Sequence, residues 1–215
     1  MPSDKHAYIV KLQEHAAEAR ALLSNSQKPQ RERMVVRAFL RCLGISFTEN
    51  EIVASKEEPV DVLFRSARFQ VRDCVGDRKR GLEWIRRQRL YKAAREMADV
   101  IGPYRPSKPM PLREAAQTVV DSLTVKAAHY GAVNCATLDA LIYIDLRNRH
   151  LWPLQPSLES EMLTALNQQG WRSVSMLFVP YAAVVSAKAD APAFLKEKVG
   201  TVLNQWPHPD GWFDA

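Results

Sequence analysis

The chain has 215 residues, 47% hydrophobic and 25% charged, with eight glycines and thirteen prolines, which excludes disordered and collagen-like chains and suits one domain with embellishments. Cys42, Cys74 and Cys135 lie far apart with no CxxC pair, which excludes a zinc ribbon and a disulfide framework. The net charge is +6, and eight basic residues against one acid between Arg78 and Arg95 carry +7, leaving the rest of the chain at −1, the footprint of a polyanion binder or of a solvated helix face.

From residue 5 to 23, Ile9, Leu12, Ala16, Ala19 and Leu23 recur at spacings of three and four and predict an amphipathic helix. A second helix begins near Pro29, carries Met34, Val35, Ala38, Phe39, Cys42 and Leu43, and stops at Gly44. Glu32 projects along its apolar stripe, where a carboxylate is costly unless partnered. Ile45, Phe47 and Ile52 to Ala54 then read as a first strand, irregular around Thr48. Residues 59–64 and 69–75 read as strands two and three of a hairpin.

The basic segment follows, and Leu82, Ile85, Leu90, Ala93, Ala94 and Met97 give it a helical apolar face lasting to Gly102. Pro103, Pro106, Pro109 and Pro111 mark a stiff connector, and a further helix covers 112–130, ending at Gly131. The nearly continuous apolar run 138–146 has the pattern of a strand buried on both faces. Leu151 and Trp152 extend a neighbouring edge, 157–169 is a helix capped by Ser157, 174–179 and 181–185 are strands, and 193–206 is a terminal helix weakened by Gly200. The opening Met1 to His6 carries no apolar h-region. The longest apolar run, 176–187, is broken by Pro180 and falls short of the about 18 residues that span a bilayer. A cytoplasmic protein without a membrane segment is expected.

The hairpin holds the chemistry. A reversal centred between Ser66 and Ala67 places Val62 opposite Val71 and Asp61 opposite Arg72, so that Asp61, Leu63, Gln70 and Arg72 share one face and Val62, Phe64, Phe69 and Val71 the other. Magnesium takes oxygen ligands, usually one or two carboxylates with waters and substrate phosphate. Asp61 offers the carboxylate, Gln70 an amide oxygen, Arg72 a cation for phosphate, and Glu32 or the Glu49 and Glu51 pair a second acid. The alternative is an ordinary cross-strand pair of Asp61 and Arg72, worth about 0.2–1 kcal/mol.

The order of helix with Glu32, strand, Pro59-Val60-Asp61, hairpin, Gln70-Val71-Arg72 and basic helix resembles the PD-(D/E)XK nuclease superfamily, with its restriction-endonuclease-like fold, over residues 29–146. The chain is also similar to a small bacterial family described as endonucleases. Pro59 and Asp61 match the first motif of the superfamily with one residue inserted. Gln70 stands where an acid is usual, and Arg72, with its planar fork, where lysine is usual.

The resemblance implies an α/β single domain over 1–215, with a helix at 1–28, the nuclease-like core at 29–146 and a strand and helix extension at 147–215. It further implies a magnesium-dependent endodeoxyribonuclease whose metal sits on Asp61 and Gln70, with Glu32 assisting and Arg72 on the scissile phosphate. Arg78, Lys79, Arg80, Arg86, Arg87, Arg89 and Lys92 would hold the backbone of a nucleic acid, DNA ahead of RNA, and a homodimer is in keeping with the fold. The competing reading is a nuclease-derived binding or protein-interaction module without turnover. The five histidines show no metal-ligand spacing, and His150 has no placed partner. Trp84, within the basic stripe, reads either as a base-stacking residue or as core. Trp206, Trp212 and Phe213 read as a docked terminus.

Overall fold

The computed structural model describes residues 3–75, 80–101, 106–145, 149–152, 164 and 166–204. The helix expected over 157–169, the tail with Trp206, Trp212 and Phe213, and both Arg78 and Lys79 lie largely or wholly outside those residues. The fold is mixed α/β, and the chain gathers into two compact units, Met1–Arg31 with Val75–Pro106 and Glu32–Cys74 with Ser107–Ala215.

The first unit is built on α1 (Ser3–Leu22) and α3 (Arg80–Ala93), with the short α4 (Met97–Val100) after them. The predicted stripe of α1 supplies Ile9, 2% exposed, and the fully buried Ala16. Against it, α3 turns Trp84, whose ring meets His15 edge-on at 5.5 Å, with Gln88, which accepts from Arg20 at 2.9 Å, and Tyr91, whose carbonyl accepts from Gln13 at 2.9 Å. This choice of face corrects the sequence reading, because Leu82 and Leu90 end up 53% and 45% exposed. The helix also stops at Ala93. The Asp99 carboxylate, third in α4, accepts the N–H groups of Arg95 (2.8 Å) and of the N-cap residue Glu96 (3.1 Å), a capping box that starts α4 and holds the Asp99 carboxyl below its usual range.

The second unit contains most of α2 (Lys28–Cys42), the helix in which the division between units falls. Its end is a Schellman motif: Gly44 takes φ +69°, Ile45 N–H donates to Leu40 and Gly44 N–H to Arg41. The expected strand from Ile45 shortens to β1 (Ile52–Ala54), because residues 49–51 form a 3-10 turn with a reciprocal Thr48 and Glu51 capping box. The Thr48 N–H and Arg65 hold the Glu51 carboxyl below its usual range.

Next come β2 (Val62–Phe64), β3 (Ala67–Val75), β4 (Lys108–Pro111), α5 (Leu112–Cys135), β5 (Asp139–Asp145), β6 (Arg149–Trp152), β7 (Ser173–Phe178), β8 (Tyr181–Ala187), α6 (Ala193–Lys196) and β9 (Val202–Leu203). Seven strands form one mixed sheet in the order β1-β2-β3-β5-β7-β8-β9, parallel between β5 and β7 and antiparallel in the outer hairpins. β6 departs from expectation. It pairs in parallel with β4 in a separate two-stranded sheet instead of extending the main one. The terminal helix is likewise one turn, since Gly200 takes φ +78° and donates to the Val184 carbonyl, turning the chain back to pair β9 with β8.

The sheet is covered on both faces. One core joins Val62, Phe64, Phe69, Val71 and Leu177 to the α2 residues Val36, Phe39 and Leu40. The other joins Ala140, Ile142, Val174 and Met176 to the α5 residues Ala116, Val119 and Leu123. A strand packed from both sides is buried along its whole length, which is why the centre of β5 is a continuous apolar run.

Candidate functional site

The hairpin is tighter than its sequence suggests. Val62 pairs with Phe69, Leu63 with Arg68 and Phe64 with Ala67, so the reversal is the two-residue turn Arg65-Ser66, with Arg65 at φ +52°. The expected register of Val62 with Val71 is therefore corrected by two residues. A shift of two preserves parity, and the faces survive unchanged. Ala67, Phe69 and Val71 enter the α2-side core, while Arg68, Gln70 and Arg72 point the other way.

The shift changes the partner of Asp61, which stands beside Gln70 and not beside Arg72. The Gln70 Nε2 donates to Asp61 Oδ2 at 3.1 Å, and the Val71 N–H reaches the same oxygen at 2.9 Å. Asp61 is fastened through its backbone as well, with its N–H on the Phe69 carbonyl and its carbonyl accepting from Ser55, both at 2.9 Å. Gln70 is only 5% exposed, and its Oε1 is buried with no hydrogen-bond partner. A buried, unpaired amide oxygen is costly. Arg72 lies two residues along the same face and is exposed. Glu32 is buried on α2, the helix packed on the opposite face. The structure thus joins Asp61 to Gln70, sets Arg72 further along their face, and places Glu32 on the helix of the other layer.

Arg68 was not singled out by sequence. It shares the face of Gln70, and its Nε is buried without a hydrogen-bond partner. Only the corrected register reveals it. A second arrangement escaped notice as well. The Asp139 carboxylate, fully buried, accepts from the Arg68 N–H (2.8 Å), from Ser173 Oγ (2.7 Å) and from the Arg172 guanidinium, which also reaches the Ser66 carbonyl at 3.1 Å. This buried pair ties the hairpin turn to the starts of β5 and β7. An acid opening an apolar run was the available signal. His150 does have a partner, with Nδ1 3.0 Å from Ser107 Oγ.

In the first unit, Arg86, Arg89 and Lys92 are exposed on α3. Arg87 turns inward, 5.0 Å over the Trp84 ring and 3.6 Å from Glu83. The Trp84 ring is half-buried, with His15 edge-on and Arg87 over it, and so is taken up by contacts within the unit. Arg80 is the first residue of α3. Among the described residues no group of three or more His, Cys, Asp or Glu side chains converges as a metal site, and no helix is long and apolar enough to cross a membrane.

The family described as "Putative endonuclease, protein of unknown function (DUF1780)" matches residues 4–206. The chain is similar to a solved structure from Pseudomonas aeruginosa strain PAO1, the protein of unknown function PA4535, described as monooxygenase superfamily. The two share 26% identity, with 95% of this chain and 96% of that one covered and a TM-score of 0.62. No curated protein matches the chain.

Proposed function

The chain belongs to the DUF1780 family, and from that premise we propose that it is a magnesium-dependent endonuclease of the PD-(D/E)XK type, acting on DNA ahead of RNA. The observation that carries this reading is the Gln70 amide, whose Nε2 faces the Asp61 carboxylate while its Oε1 is buried without a hydrogen-bond partner. Turning the amide over would set that oxygen beside the carboxylate, a fitting donor pair for a hard cation that takes few protein ligands and keeps its waters. Asp61 and Gln70 would hold the ion, which when bound supplies a more acidic water and offsets charge on the phosphate. Arg72 would receive a phosphate oxygen, with its planar fork suited to two hydrogen bonds. Glu32, on the helix of the opposite layer, is left out of this arrangement. Arg86, Arg89 and Lys92 would grip the backbone, so that binding weakens as salt rises.

A second reading rests on the same oxygen pair. Asp61 Oδ2 already accepts two N–H groups, Gln70 Nε2 and Val71 N, and a carboxylate satisfied within the protein suits a binding module without turnover. Duplex, single-stranded and branched DNA and RNA, incubated with magnesium or with EDTA, separate the two. Cleavage that requires magnesium and disappears in Asp61→Asn is the expected result. Salt-sensitive binding without cleavage by the wild type would favour the second reading and sink the first. Oxygen chemistry, suggested by the description of PA4535, predicts neither outcome.

A further inference from the structure

We propose that the outward face of α3 takes nucleic acid with unpaired bases, Leu82 and Leu90 lying against base faces while Arg86 and Arg89 meet the adjoining phosphates. This rests on the reading above that nucleic acid is the substrate, and it names the form that substrate takes.

Successive helix residues turn by about 100°, so the face opposite Trp84, Gln88 and Tyr91 is formed by Leu82, Arg86, Arg89, Leu90 and Ala93. All five are exposed. Leu82, Arg86 and Leu90 make one ridge at spacings of four, with Arg89 and Ala93 beside it, and the two leucines lie about 12 Å apart along the axis. Glu83, the acid of this helix, borders the ridge three residues before Arg86 but pairs with Arg87 at 3.6 Å, so Arg86 and Arg89 leave the face net positive. The occupant must therefore be anionic, and it must also offer apolar surface to two leucines that water leaves uncovered.

A regular duplex meets only the first requirement, because its outer surface is phosphate and sugar and its base faces are stacked inside. Unpaired nucleotides meet both, with a phosphate and an open ring face on each unit. Apolar side chains beside arginines are the groups that enter between unstacked bases in proteins that distort duplexes. The partial burial of Trp84 against His15 sharpens the argument, since it removes the aromatic platform and leaves the leucines as the apolar surface.

The test uses the full chain in EDTA, so that cleavage does not intervene, with labelled single-stranded and fully paired DNA of equal length followed by anisotropy. Two half-exposed leucines covered by base faces should make the single strand bind tighter than the duplex by about tenfold or more. Leu82→Ser with Leu90→Ser, both at exposed positions, should erase that margin and leave duplex affinity as it was. Arg86→Gln with Arg89→Gln should weaken both and reduce the salt slope on the single strand by about 1.4. Equal binding of the two forms, or a margin that survives loss of both leucines, overturns the inference. If that happens while Asp61-dependent cleavage persists, the proposed nuclease stands and only this assignment of α3 falls. No binding of either oligonucleotide overturns both, and an acidic protein would then be the occupant of the ridge.

Discussion

The two units are held together by different means. In the second, a seven-stranded sheet is sealed on both faces, with Phe39, Phe64, Phe69, Leu141 and Ile142 removed from water. In the first, only Ile9 and Ala16 are buried among the described side chains, and α1 meets α3 through a ring contact of His15 with Trp84 and side-chain hydrogen bonds. Burial of apolar surface scales with area and produces a rigid layer. Polar ties between two helices leave cationic and leucine side chains in solvent, available to a ligand. The sheet can hold a site to within hydrogen-bond distances, and the helix pair can offer a surface.

Phe69→Ala is the severest way to break that contrast. It empties a site in the α2-side core and should cost about 3–5 kcal/mol in denaturant unfolding. A loss below 1 kcal/mol would show that the sheet is not sealed there. Asp139→Ala should approach the same cost, about 3–5 kcal/mol, because Arg172 keeps its charge at the hairpin turn without its carboxylate. Replacing Asp139 and Arg172 together by apolar residues should cost much less than the single change, and additivity of the two singles would refute a coupled pair.

Gln70→Glu sharpens the site itself. Two adjacent carboxylates, one of them buried, should lower the melting temperature in EDTA. Magnesium at about 100 times its Kd should restore about 2.7 kcal/mol. A melting temperature indifferent to magnesium would mean that Asp61 and position 70 do not take the ion.

Burial pushes the Cys42 thiol up to about 12 from 9.0. The folded pKa exceeds the unfolded one, so this contribution to stability is complete below about pH 9 and declines as pH rises toward 12. Cys42→Ala should flatten that alkaline decline, with Cys135, also raised by burial, supplying part of what remains. An unchanged slope would place the alkaline loss elsewhere. The smallest expected effect belongs to Leu82→Ser, within about 0.5 kcal/mol, as for other exposed positions. A loss of 2 kcal/mol would mean that Leu82 is covered in solution.

Much of the second unit was legible because its pattern is local. The apolar run of β5, the stripe of α2 and the alternation of Val62, Phe64, Phe69 and Val71 each follow from a repeat of 2 or 3.6 residues. The pairing of Asp61 with Gln70 was only half visible. Alternation gave the shared face, but the partner depended on the turn, and Arg65 adopting φ +52° shortened it. In α3 the leucines read as core because leucine usually is, whereas α1 supplied a partner for the Trp84 side.

The amino-acid order by itself determined most of the longer helices and the inner strands, which hairpin side chains share a face, and where positive charge gathers, since each depends on neighbours a few residues apart. Only the tertiary structure decided that Asp139 meets Arg172 and that Leu82 and Leu90 face solvent. Those outcomes come from packing between segments far apart in the chain, and local periodicity carries no information about which distant surface arrives.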